Sequence, residues 1–443
     1  MSHTYRLSRR AALLLPLAVT GCSLFDSWFG DNKKPLPGKR LDVLAATRGV
    51  QVDNPPGRPV TLPPPEVNPD WLQAGGVPSH VMGHLAVRDT LAEAWTAAIG
   101  EGGGYRRKIT ARPVIAAGRV YVMDSDAVVS AHDLRTGAQV WRFATQAEDD
   151  DSTNVGGGLA FDGGTLYAVN GLAEVMALDP ATGKPRWRKT IPTSARAAPT
   201  IADGRLYIPT LDDQLLALSA ADGSRIWAYQ AALADTSVLG LPSPAFAEGL
   251  LVAGFGSGDL ACLRAASGSV SWTDSLASVR GRTSLIDISA IRGMPVIMEG
   301  RVYAIGLGGL MVSLDLRSGR RLWERDIGSG ETPWAAGNWL FVLSSDQQVM
   351  AINREDGAIA WVTQLPRWED EKKEEDPIRW TGPALAGDRL VLAGSTKEAV
   401  AVSPYTGKIL GTQKLSGAAS VAPVVADRTV FLVTDDGSLL ALR

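Results

Sequence analysis

The chain has 443 residues, a formal net charge of -3 and an apolar share of 45% that includes 13 Trp. So balanced a charge provides no basic field for a phosphate backbone, which argues against a nucleic-acid partner. With 47 Gly and 26 Pro, the same composition indicates a large core threaded by many turns and few long helices.

In chain order, Arg6, Arg9 and Arg10 precede an apolar run over residues 11–19, and Val19-Thr20-Gly21-Cys22 follows. A basic start, a short hydrophobic stretch and small residues before the cut describe a secretory leader, residues 1–21, too short to span a bilayer. Its loss removes three positive charges and takes the net to about -6. The tetrapeptide resembles a bacterial lipobox, which implies that Cys22 is acylated and heads a lipid-anchored mature chain. Cys262 is the one other cysteine, so no intramolecular disulfide is expected, and its Leu-Ala-Cys-Leu setting reads as a small core residue.

Residues 22–85 are rich in proline, including Pro35, Pro37, Pro55, Pro56 and Pro63 to Pro65, and follow no period of 2 or 3.6. They are expected to be a flexible tether, about 60 residues with a root-mean-square reach of roughly 45 Å. His80 and His84 lie four apart near its end. With no third ligand in reach of the pattern, a surface pair is expected rather than a metal site.

From residue 86 the chain repeats. The unit is clearest at Leu178-Asp179-Pro180-Ala181-Thr182-Gly183-Lys184-Pro185-Arg186-Trp187, and a Gly-to-Trp step of four residues recurs at Gly137/Trp141, Gly223/Trp227, Gly268/Trp272, Gly319/Trp323 and Gly357/Trp361. Gly407 has Gly411 in the Trp slot. A second mark, a Pro before a short apolar run, lies 24 residues before each Gly at Pro113, Pro199, Pro244, Pro295, Pro333 and Pro383, with Leu159 in that slot once. Between the marks, short alternating runs and tight turns spell four strands per copy. A four-stranded antiparallel unit repeated at this period is a β-propeller blade. The copy opening at Pro423 stops after three strands, while residues 91–96, with Trp95, form an orphan outer strand upstream. Pairing them predicts an all-β, eight-bladed β-propeller over residues 86–443, closed by its N- and C-terminal strands. Trp95, Trp141, Trp187, Trp227, Trp272, Trp323 and Trp361 recur once per blade, so they are expected to pack between blades rather than to cage a ligand.

All length variation falls between the Trp slot and the next Pro mark, the longest spans being 272–295 and 361–383. These connectors should share one face, which repeat rings often use for binding. The acidic runs Glu148 to Asp151 and Glu369 to Asp376 are expected to be solvated loops. Residues 233–241 and 284–292 are apolar instead. Val238, Leu239, Leu241, Leu285 and Ile288, with Arg292 beside them, form a candidate protein-docking surface; the alternative is that these loops fold over the ring and cover its core.

No catalytic constellation emerges: there is no Gly-x-Ser-x-Gly, no phosphate-binding Gly-x-x-x-x-Gly-Lys and no Cys-x-x-Cys. The Ala-Leu-Asp-x-x-Thr-Gly-x-x-x-Trp unit resembles the pyrroloquinoline-quinone-type propeller repeat. With the lipobox and eight blades, the chain is similar to the propeller lipoproteins of the outer-membrane β-barrel assembly machinery. That resemblance implies a non-catalytic scaffold with no cofactor, anchored by lipid to the outer membrane and facing the periplasm. Its implied partners are the POTRA domains of a BamA-like barrel and the other lipoproteins of the machinery. By position, the family's Leu-Arg contact pair falls at Val238 and Leu239 and its Asp-x-Asp pair at Ala290 and Arg292, so the Arg and both acids are replaced here. The rival is a quinone-dependent dehydrogenase; those enzymes typically carry a vicinal Cys pair and acidic calcium ligands, and the pair is impossible with Cys262 alone. A propeller sensing a sugar or peptide in its central funnel is the third reading.

Overall fold

The computed structural model describes residues 49–53, 58–104, 107–146, 152, 154–234, 240–277 and 289–443. Among them, eight four-stranded antiparallel sheets form the blades of a propeller, and a two-stranded hairpin makes a ninth sheet. Blades 1 to 7 cover residues 114–144, 157–190, 200–230, 245–275, 296–325, 334–364 and 380–414, each with its strands in sequence order from the inside out. Blade 8 takes its three inner strands from residues 424–442 and its outer strand from Glu93–Ala98, which pairs with Ser438–Leu442.

The Trp of one copy and the Gly of the next meet across the seams between blades. Each outer-strand Trp lies opposite a small residue on the third strand: Ala131 for Trp141, Ala217 for Trp227, Cys262 for Trp272 and Ala441 for Trp95. That small residue leaves room for the indole to lean over the blade. In six of the seven blades it there meets an aromatic of the second strand, as Tyr207 meets Trp227 with centroids 5.9 Å apart, and in the blade of Trp272 the register places Val252 in that position. Its Nε1 then donates to a carbonyl of the next blade. Trp141 reaches Pro180 O at 2.9 Å, Trp272 reaches Leu316 O at 2.8 Å, and Trp95 closes the circle on Leu134 O at 3.3 Å. The accepting residue always stands three before the next blade's turn Gly. Gly183 needs its positive φ of 72°, and a Cβ there would also come within 2.5 Å of Trp141. The four-residue Gly-to-Trp step therefore gives each blade both a socket and a peg.

Seven seams carry this latch and one does not. In blade 7 the same register runs Val391, Ala401, Gly411, so both aromatics of the pair are gone. Blade 8 receives its outer strand from Glu93–Ala98 and so has no turn Gly to act as the socket. A groove of about 510 Å³ remains at this seam, lined by Leu91, Val391, Leu410 and Leu442, and Arg389 bonds across it to the Arg88 and Asp89 carbonyls.

The expectation of a tether reaching to residue 85 is corrected here. Residues 66–87 are packed in the middle of the ring and bond to every blade: Trp71 exchanges both backbone bonds with Ile115, Phe161 donates to Leu72 O, Gln73 pairs with Ile201, and Phe246 donates to Pro78 O. The series continues from Ile297 to Ser79 O, from Gly83 to Ala335 O, from Gly387 to Leu85 O and from Asp427 to Asn68 O. Most of these blade residues stand two after the Pro mark, so an inner strand too short to satisfy its own inward edge finds partners in this hub. Trp71 is fully buried there and stacks on Trp334. The low-complexity look of the segment reflects a path that turns once per blade, which no helix or strand period can follow. Gly49 to Asp53 also lie on the ring, with Asp53 accepting from Arg325 and from the Ile359 backbone.

Two substitutions test the latch. Trp272→Ala should cost about 3–5 kcal/mol, as for other buried aromatics. Gly411→Trp should stabilise the ring by about 0.5–2 kcal/mol, as other cavity-filling changes do, because no atom lies within 4 Å of a Cβ at this position. Urea unfolding of both variants measures this; an unchanged or lower midpoint for Gly411→Trp would show that the groove is not a vacant peg site.

Candidate functional site

The connectors emerge on one face, and the centre of that face opens into a cavity of about 300 Å³. Its wall is made by residues just before the inner strands, among them Arg112, Ser243, Met294, Thr332 and Ala422, and Ala74 of the hub lines it from within. Leu241 and Arg292, both expected at the docking surface, line this cavity together. The Leu241 amide donates to Arg196 O, which ties the end of one connector to its neighbour. Gly330 leaves space for Arg292, since a Cβ there would lie 3.3 Å from its Nη1.

The rest of the expected surface divides. Val238, Leu239, Leu285 and Ile288 lie outside the described residues. Leu233, at the start of the first apolar connector, is 71% exposed. The end of the second connector is buried instead: Ala290 and Ile291 have no accessible surface, the Ile291 amide bonds Phe255 O, and Ala290 O accepts from Leu307. For these two residues the covering alternative holds, and Ala290 cannot touch a partner. The acidic run of the 361–383 connector forms an exposed hairpin, Trp368–Asp370 with Glu375–Pro377, rather than a loop.

His80 and His84 are not a surface pair. Both are buried in the hub, His80 with a left-handed φ of 63°. His80 Nδ1 lies 2.7 Å from Pro295 O, while both ring nitrogens of His84 face carbonyls, of Pro63 and Gly387. They serve the hub's hydrogen bonding. Among the described residues no group of three His, Cys, Asp or Glu is placed to hold a metal. Cys262 is buried opposite Trp272, and burial pushes its thiol up to about 12, so it stays protonated and unreactive.

Sequence reasoning had Arg292 at the docking surface and missed the other arginines that gather with it. Arg112, Arg196, Arg292 and Arg379 all line the cavity, with Lys108 and a single acid among the described residues, Glu331. The signal was available, since each Arg stands within four residues before a Pro mark. Burial lowers the Arg112 pKa, Glu331 works against that shift, and the like charge of Arg292 adds to it. The same field reaches His80, whose pKa falls to about 4, first through burial and in smaller part through Arg112, against the bond to Pro295.

The sequence profile of the family described as outer membrane protein assembly factor BamB matches residues 125–363 and 366–443. The chain belongs to the BamB family. A BamB of Yersinia pestis is 25% identical over 356 residues, covering 78% of this chain and 87% of its own length. The crystal structure of BamB from Moraxella catarrhalis superposes with a TM-score of 0.68 at 19% identity, over 80% of this chain and all of that one. A quinohemoprotein alcohol dehydrogenase from Comamonas testosteroni reaches a TM-score of 0.65 at 14% identity, over 84% of this chain and 80% of its own. These two structural likenesses speak for the propeller alone. The family assignment rests on the profile match.

The His80 shift has a consequence for stability. The native ring keeps this imidazole neutral down to about pH 4, whereas the unfolded chain protonates it near 6.5. Its contribution is therefore full above pH 6.5 and is lost as pH falls toward 4, by up to about 3 kcal/mol. His80→Asn, which tolerates the left-handed backbone, should flatten that acid limb in urea titrations at pH 7 and pH 4.5. Equal losses in variant and wild type would count against it.

Proposed function

We propose that this chain is a non-catalytic scaffold of outer-membrane β-barrel assembly, acylated at Cys22 and held at the outer membrane facing the periplasm. Membership of the BamB family, matched over most of the propeller, carries the reading. The connector face docks on the POTRA domains of a BamA-like barrel, beside the other lipoproteins of the machinery, and Val238, Leu239, Leu241, Leu285, Ile288 and Arg292 supply its contacts. What supports this face is its chemistry: apolar connectors follow consecutive blades, Leu233 stands free in solvent, and Arg292 is exposed at the cavity mouth. Apolar anchors beside an arginine are what protein interfaces concentrate.

A scaffold needs a rigid body that presents loops at fixed spacing, and seven latched seams around a bonded hub supply one. Redox chemistry in the manner of the structurally similar dehydrogenases would want a reactive group at the centre. Apart from Cys22 the chain has only Cys262, which is sealed inside a blade.

The test is co-purification of the lipidated chain from gently solubilised membranes, run beside Leu239→Asp with Ile288→Asp. The barrel partner should be recovered with the wild type and lost with the double variant, whose melting temperature stays unchanged. Retention of the partner by the folded double variant would move the docking site to another face.

A further inference from the structure

Among the described residues, the charge in the central cavity is far from balanced. Lys108, Arg112, Arg196, Arg292 and Arg379 line it against Glu331 alone among the described residues. Guanidinium groups cannot shed their protons to relieve the repulsion. Glu331 offsets only one of these charges, and its Oε2 is turned to Thr381 Oγ1 at 2.9 Å and the Gly382 amide at 3.1 Å. Among the described residues no carboxylate lies within ion-pair distance of these four arginines. Arg112 makes one long bond, 3.4 Å to Ala74 O, and Arg196 Nε is shut off from solvent without a partner. Several arginines outside the cavity do find acids, as Arg321 does with Asp274 at 2.8 Å. Buried donors such as Arg196 Nε cost free energy unless something reaches them, and the mutual repulsion of the five cations adds to that cost.

We propose that this cup is a binding site for a small multivalent oxyanion of the phosphate class. Planar guanidinium forks match the geometry of such an ion and bind it through paired charge-assisted hydrogen bonds. A net lining charge of +4, five cations against Glu331, favours a dianion over a single carboxylate. The volume of about 300 Å³ holds a small ion with its residual water, at the lower limit of ordinary ligand sites. Ala74 of the hub sits at the inner side, so occupancy would brace the hub against the mouths of blades 1, 3, 5 and 7. The site shares Leu241 and Arg292 with the apolar connectors, but ion binding to the isolated chain does not depend on docking.

Calorimetric titration of sodium phosphate into the full mature chain in detergent tests this, with sodium chloride at equal ionic strength as the control. Saturable one-site binding is expected, with a melting temperature that rises with phosphate and not with chloride. Arg292→Gln with Arg379→Gln, both solvent-exposed at the mouth, should weaken it about tenfold or more, the loss of at least one charge-assisted hydrogen bond. If that pair fails to fold, Arg196→Lys keeps the charge and removes the fork, and it should weaken binding in the same direction. Absence of saturable heat up to about 10 mM phosphate, affinity unchanged in the folded variants, or capture of an acidic peptide that phosphate does not displace would each overturn the proposal.

Discussion

An indole from one blade resting on the turn glycine of the next is the contact on which the ring depends. It explains three features of the repeat together: a Trp large enough to bridge a wedge-shaped gap, a small residue beneath it on the third strand, and a Gly that must accept both a left-handed backbone and the indole's approach. A Cβ on Gly268 would come within 2.6 Å of Trp227, so the glycine of one blade is fixed by the tryptophan of its neighbour. Ring rigidity follows from this pairwise rule, since each latch constrains two blades without any long-range element.

The exception at Gly411 follows the same rule. The composite eighth blade has no turn glycine for an indole to rest on, so at this seam a groove stands where the other seams hold a peg. Closure by Glu93–Ala98 removes the free strand edge that blade 8 would otherwise present, and leaves one seam held by aliphatic side chains and Arg389. The hub compensates on the inside. By bonding to each inner strand in turn, residues 66–87 convert eight independent edges into one connected centre.

Function is layered on that scaffold by what the ring does not specify. Blade positions are constrained by packing, whereas the connectors are free to vary in length and chemistry, and they collect on one face because each makes the same outer-to-inner step. The basic cup and the apolar connectors share Leu241 and Arg292. A charged centre with an apolar residue such as Leu241 at its edge can both orient and bind a partner.

The sequence by itself determined the propeller, its blade number, its shared closing blade and the peg-and-socket spacing, because each is a local, periodic demand that repeats until it is unmistakable. Cys262 was legible as core for the same reason: it stands in a slot that other blades fill with Ala or Ser. Tertiary structure alone decided the hub, the burial of His80 and His84, and the convergence of four arginines. Those residues sit in aperiodic stretches, and what joins them is proximity around a ring axis. Arg112 and Arg379 are 267 positions apart along the chain yet line one cavity; only closing the ring brings their charges together.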